Sequence, residues 1–155
     1  MTRQGSFYFG GLSRANKQGH DFVREIIRPD NYILIESEGY HLDTLFTPVV
    51  DAENNMKAFI IASNSVSKAS MDALKRLGFP VIEVSPEDSS GEGDSLGNYS
   101  VNALIAPGVM VNSSYFATPG VEEKLELLGI RRFVCPLPNF KYAGGSVHCL
   151  TNEVF

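Results

Sequence analysis

Only two cysteines, Cys135 and Cys149, occur in the 155 residues. That is too few for the disulfide framework that staples small secreted domains, and a reduced, cytoplasmic setting fits the count better. No stretch approaches the roughly 18 apolar residues of a membrane span, and residues 1–11 hold no apolar core long enough for a signal peptide. Basic runs are equally scarce. The longest is Arg131-Arg132, and 13 Lys and Arg face 18 Asp and Glu for a formal net charge of -5. Phosphate binding needs a basic patch, so neither nucleic acid nor membrane is an expected partner. The histidines, His20, His41 and His148, have no metal-ligand spacing to the cysteines, so no metal site is expected. Gly91-Glu92-Gly93 lacks the rest of either glycine-rich phosphate fingerprint.

What is present reads as one globular domain over 1–155. Hydrophobic residues make up 43% and charged residues 20%, enough apolar material for a single core at this length. An aromatic strand over 6–9 ends at Gly10-Gly11. Ser13 can cap a helix running to Ile27, with Phe22, Val23, Ile26 and Ile27 on one face, and 32–36 reads as a strand. Strands over 41–50 and 57–62 lead to a helix with the stripe Val66, Ala69, Ala73, Leu74 and Leu77, closed by Gly78 at its C-terminus. A short strand over 80–84 follows, then an irregular stretch over 85–97. Strands over 100–106 and 109–112 flank the Pro107-Gly108 turn. Thr118 can cap a helix with Pro119 at its first position. Strands over 132–137 and 147–155 close the chain. The order strand–strand–helix–strand thus occurs twice in full, from near His41 and from near Ser100, after a partial copy over 6–36. The fold class is α/β with mixed sheets.

Two features carry chemistry. In Gly144-Gly145-Ser146-Val147-His148-Cys149-Leu150-Thr151, the glycine pair lets backbone approach a ligand beside a thiol. On a strand Val147, Cys149 and Thr151 face one way and His148 the other, which sets His148 apart from Cys149. Cys135, in the apolar run Phe133-Val134-Cys135, is expected to be an ordinary buried thiol. Cys149, beside a polar cleft, is expected to be the more reactive of the two. In Tyr40-His41-Leu42-Asp43-Thr44-Leu45-Phe46, His41 and Asp43 share a face of a strand, and a histidine with a carboxylate partner can act as an acid/base. The residues alone leave bland alternatives open: a buried thiol for Cys149, a solvated turn for His41 and Asp43.

Taken together and in this order, the features resemble motifs of the guanidino-group-modifying enzymes of the pentein superfamily. Residues 41–46 resemble the histidine motif of arginine deiminases and glycine amidinotransferases, and 144–151 resemble their nucleophile motif. Gly11-Leu12-Ser13-Arg14-Ala15-Asn16 is similar to the Gly-Leu-Ser-x-Arg-Thr-Asn segment of dimethylarginine dimethylaminohydrolases, one residue shorter and with Ala15 for threonine. Residues 102–108 resemble the strand and Pro-Gly turn of these enzymes. The resemblance covers nearly the whole chain.

It implies a pentein fold, an α/β propeller of five strand–strand–helix–strand modules, of which this chain would supply about three as the C-terminal part. Met1-Thr2-Arg3-Gln4-Gly5 stands where the family carries a Gly-Gly-Asp segment whose aspartate grips the guanidinium. Cys149 would be the nucleophile and His41 its acid/base partner. Asp43 would hold the guanidinium, Arg14 would meet the substrate carboxylate, and Gly144 and Gly145 would line the substrate. The implied partner is a small cationic guanidino compound, with no cofactor. The implied reaction is hydrolysis of arginine or an arginine derivative through an amidino-cysteine intermediate. Amidino transfer and a non-catalytic pentein binding module are the alternatives. An incomplete ring would also imply self-association, or a missing N-terminal segment, and little turnover by the chain alone.

Overall fold

In the computed structural model, which describes residues 4–152, three sheet units follow one another along the chain. In the first, β1 (Phe7–Gly11) and β2 (Asn31–Ile35) pair in parallel across helix α1 (Lys17–Ile27). In the second, β3 (Phe46–Val50) and β4 (Met56–Ile61) form an antiparallel pair, and helix α2 (Lys68–Arg76) returns β5 (Val81–Glu83) parallel to β4. A two-residue hairpin, β6 (Gly91–Glu92) with β7 (Ser95–Leu96), lies within the stretch expected to be irregular. The third unit repeats the second: β8 (Leu104–Ala106) and β9 (Val109–Asn112) are antiparallel, and helix α3 (Val121–Leu127) brings β10 (Arg131–Val134) parallel to β9. The strand–strand–helix–strand order is therefore present twice, after a β1–α1–β2 unit. Among the described residues no helix is long and apolar enough to cross a membrane.

Local chemistry sets the boundaries. Asn16, not Ser13, caps α1, its side chain accepting from the Gly19 amide at 2.9 Å. The Ser13 hydroxyl instead donates to the Tyr40 carbonyl at 3.2 Å. Arg28 ends the helix in the left-handed region at φ 51, and Pro29 follows. Gly78, at φ 79, takes the expected place after α2. The cap of α3 is Gly120, because Thr118 is occupied elsewhere: its hydroxyl donates to the buried Asp88 at 2.6 Å. Pro107 followed by Gly108 at φ 70 makes the tight turn between β8 and β9.

β4 holds the molecule together. Its Ala58 and Ile60 face a core shared with Val101, Ala103, Met110, Val121 and Leu125, while Phe59 and Ile61 face a second core with Ile33, Ile35, Phe46, Met71 and Leu74. All four β4 side chains are fully buried, as expected of a strand covered on both faces. The apolar stripe of α1 behaves differently: Phe22, Ile26 and Ile27 are exposed, and among the described residues of α1 only His20 is buried. The α1 sequence is amphipathic, but the two-stranded sheet beneath it meets the helix through polar contacts: the ring of His20 bonds Tyr8 and Gly11, and Tyr32 bonds Asp21 and lies under Arg24.

Two stretches expected to be strand are turns, although the rest of the expected 41–50 strand is present as β3. Residues 42–44 form a 3-10 turn, Leu42–Thr44, ahead of β3, and residues 148–150 form another, His148–Leu150, where the last strand was expected. The rest of that expected strand, 153–155, lies outside the described residues. The third-unit strand expected from residue 100 starts only at Leu104, because 99–102 fold into a turn closed by the Asn102 amide on the Tyr99 carbonyl at 3.0 Å.

Candidate active site

Asp43 projects from the turn ahead of β3. Thr44 fixes that turn at both ends. Its hydroxyl donates to the His41 carbonyl at 2.7 Å, and its own carbonyl accepts from the Ser89 hydroxyl at 2.7 Å. Cys149 projects from the His148–Leu150 turn. The two turns meet: the Cys149 thiol donates to Asp43 Oδ2 at 3.4 Å across 106 positions of sequence.

Asn102, fully buried, joins them. Its Nδ2 donates to the Asp43 carbonyl at 3.2 Å and to Asp43 Oδ2 at 2.9 Å. Its Oδ1 accepts from the amides of Ser146 at 2.9 Å and Cys149 at 3.4 Å. Its backbone carbonyl accepts from the His148 amide at 3.3 Å. These amide tethers explain why residues 146–149 coil instead of extending. They also correct the strand-based placement of His148. In the turn, His148 and Cys149 point at the same carboxylate, with His148 Nε2 3.9 Å from Asp43 Oδ2.

The glycine pair serves clearance and turn geometry. Gly144 sits at φ 83 and ends the preceding turn, Phe140–Ala143. A Cβ on Gly145 would lie 3.0 Å from Cys149 Sγ, so only glycine leaves the thiol room where it stands.

Both cysteines are exposed. Cys135 is therefore not the buried thiol its apolar run suggests. It follows β10, an edge strand with alternate residues open to solvent, where Phe133 is also exposed. Cys149 is exposed as a residue, but its Sγ is packed against Gly145 and Asp43. Partial burial pushes the thiol pKa up and the Asp43 charge and hydrogen bond add to the rise, while the Ser146 backbone and the Asn102 side chain act against it. Tyr99, almost fully buried, is also raised, first by burial and then by the charge of Cys149. The resting thiol is thus held protonated beside a carboxylate.

The remaining expected residues lie together at Tyr40. His41 is exposed and stacks on the Tyr40 ring, centroids 4.2 Å apart and planes 20° apart. The Arg14 guanidinium lies over the same ring at 4.5 Å. Among the described residues the His41 side chain makes no hydrogen bond. The expected site residues therefore fall into two groups: Asp43, Cys149, Gly144 and Gly145 in one, His41 and Arg14 around Tyr40 in the other. Asn102, Tyr99 and Tyr40 were not singled out from sequence. For Asn102 a signal existed, since a polar residue opening the run Ala103-Leu104-Ile105-Ala106 needs a partner once buried.

A cavity of about 920 Å³ opens beside the first group; its lining includes Asp43 and His148, with His20, Thr47 and Asn54 as further polar residues. Neither Cys149 nor His41 is among its lining residues.

No family model matches the chain, and no curated protein matches it by sequence. Solved structures do. The N-terminal domain of ArgZ, an arginine dihydrolase of the ornithine-ammonia cycle in cyanobacteria, superposes with TM-score 0.77 at 20% identity over 96% of this chain. This chain spans 51% of the length of that domain. Another ArgZ structure, also 20% identical, is covalently bonded to a reaction intermediate. Unliganded AgrE superposes with TM-score 0.77 at 18% identity over 97% of this chain and 21% of its own. SxtG, an amidinotransferase of saxitoxin biosynthesis from Microseira wollei, gives TM-score 0.66 at 17% identity over 94% of this chain and 43% of its own. At these identities the likeness is one of fold. The mixed α/β architecture here is that of arginine-modifying and amidino-transferring enzymes.

Proposed function

We propose that this chain carries a thiol-based site that modifies guanidino groups, with Cys149 as nucleophile and hydrolysis of arginine or an arginine derivative as the reaction. One observation carries the reading: the thiol of one motif touches the carboxylate of the other, Cys149 Sγ to Asp43 Oδ2 at 3.4 Å. A nucleophile and a cation anchor must adjoin if a guanidinium carbon is to be attacked, and here they adjoin although far apart in sequence.

In this reading Asp43 receives the planar guanidinium through charge-assisted hydrogen bonds. The bound cation neutralises the carboxylate that holds the thiol protonated, so substrate binding itself favours the thiolate. The Cys149 thiolate adds to the guanidinium carbon, and the C–N bond to the leaving amine breaks as His41 protonates that amine. The amidino group remains on sulfur as a thioether. Water, losing a proton to His41, adds to the same carbon, and the C–S bond breaks to regenerate the thiol. If an amine takes the place of water the outcome is amidino transfer, and the covalent intermediate is shared. Arg14, held over Tyr40, is the group for the substrate carboxylate, a task suited to its forked donors. A covalently bound reaction intermediate of ArgZ is in keeping with a covalent step.

The test is mass spectrometry of the intact chain after exposure to arginine and to methylated arginines. The expected result is a mass increment on Cys149, absent in C149A, with release of ammonia or an alkylamine. No adduct and no release with any of these compounds refutes the proposal.

A further inference from the structure

The side chain that does most to join the two halves of the site is neither nucleophile, base nor anchor. We propose that Asn102 is a positioning residue that holds the Asp43 carboxylate against the Cys149 thiol, so that Asp43 acts on the thiol through Asn102. This rests on the reading of Cys149 as the reactive thiol.

The argument begins with capacity. An Asn side chain has two donors and two acceptor lone pairs. All four are used: both Nδ2 protons on Asp43, both Oδ1 lone pairs on the amides of Ser146 and Cys149. The orientation is unambiguous, because backbone amides can only donate and must face the oxygen. No other residue of this size serves both sides. Aspartate would bring a second carboxylate against Asp43, and leucine would leave the Ser146 amide without its acceptor.

Asp43 does not need Asn102 merely to be satisfied. Its side chain is 30% exposed, so water can hydrate it. What the buried amide adds is direction. It draws Oδ2 to the position where that oxygen also meets the Cys149 thiol. Asn102 is itself held rigidly: its amide is bonded to Tyr99, a non-glycine residue in the left-handed region at φ 59, and its carbonyl to His148. The backbone strain at Tyr99 sits where such strain commonly marks a functional constraint. Among the described residues, the titratable groups facing the thiol are Asp43 from the opposing turn, His148 from its own turn and Tyr99 from the 99–102 turn.

The test reads thiol–disulfide exchange at Cys149 against pH, in a C135S background, for the parent, D43N, N102A and D43N/N102A. With Asn102 positioning Asp43, D43N lowers the midpoint by about one pH unit, the low end for a charge in contact, and N102A lowers it less, because it also removes Asn102's own hydrogen bond, which favours the thiolate. The double variant is then no lower than either single one. A full further drop when D43N is added to N102A overturns the inference. Where N102A fails to melt cooperatively, the Asn102 side-chain amide resonances of the folded parent replace it. They are expected to shift in D43N and on acid titration of Asp43, and resonances unmoved in D43N overturn the inference. None of these readouts needs turnover. Non-additive variants without turnover retire the enzymatic reading alone, and turnover with additive variants retires this inference alone.

Discussion

Replacing Asp43 by asparagine should have opposite effects on reactivity and on turnover. The carboxylate is 3.4 Å from Cys149 Sγ. At that separation two unit charges repel by roughly 1.2 kcal/mol at the dielectric of water, the lower limit for a partly buried thiol. At 1.36 kcal/mol per pH unit, D43N should lower the thiol midpoint by about 0.9. The sign follows from the cause. The carboxylate raises the thiol pKa by disfavouring the thiolate, so its loss increases the thiolate fraction at neutral pH by about eightfold. A lower pKa also weakens the nucleophile, with a Brønsted slope of about 0.45, which leaves a net gain near threefold in exchange rate at pH 7. A disulfide reagent in a C135S background measures this. Turnover should move the other way and fall by about 10²–10³, because the preorganised anchor for the cation is gone. Slower exchange at Cys149 in D43N, or undiminished turnover, would refute the reasoning.

Three further outcomes follow from the same geometry. G145A places a Cβ 3.0 Å from Cys149 Sγ and should push the thiol off Asp43, so the exchange midpoint falls as in D43N while melting shifts little; an unmoved midpoint counts against the contact. H41N should cut steady-state turnover by about 10²–10⁴ through loss of the acid/base, whereas H148N, 3.9 Å from Asp43, should cost less than about tenfold; kinetics with saturating guanidine compound distinguish them, and the reverse ranking would reassign the base to His148. D88A removes a fully buried carboxylate that accepts from the Ala117 and Thr118 amides at 2.6 and 2.9 Å, from the Thr118 hydroxyl and from Asn98 Nδ2, and chemical denaturation should show a loss of about 3 kcal/mol, chiefly from the two stranded backbone amides.

The order of elements is legible in the sequence because it rests on local chemistry. Gly78 after α2, Pro107-Gly108 between β8 and β9, and the continuous apolar run of β4 each restrict backbone or burial within a few positions. The pairing of the 41–46 and 144–151 motifs was legible too, as a resemblance of residue types in order. What the sequence could not supply is the shape of those motifs. His41-Leu42-Asp43 and Val147-His148-Cys149 alternate as a strand would, yet both fold as 3-10 turns. The deciding groups are distant: Thr44 is held by Ser89, and the amides of Ser146, His148 and Cys149 are held by Asn102, more than 40 positions away. Those tethers place His148 beside Asp43 when alternation would have turned it away. Burial misled for the same reason. An apolar run marks Cys135 as core, but β10 is an edge strand, and only the sheet order decides which side of a strand has a neighbour. Residue identity set which groups could react. The meeting of two turns around one buried asparagine decided which of them touch.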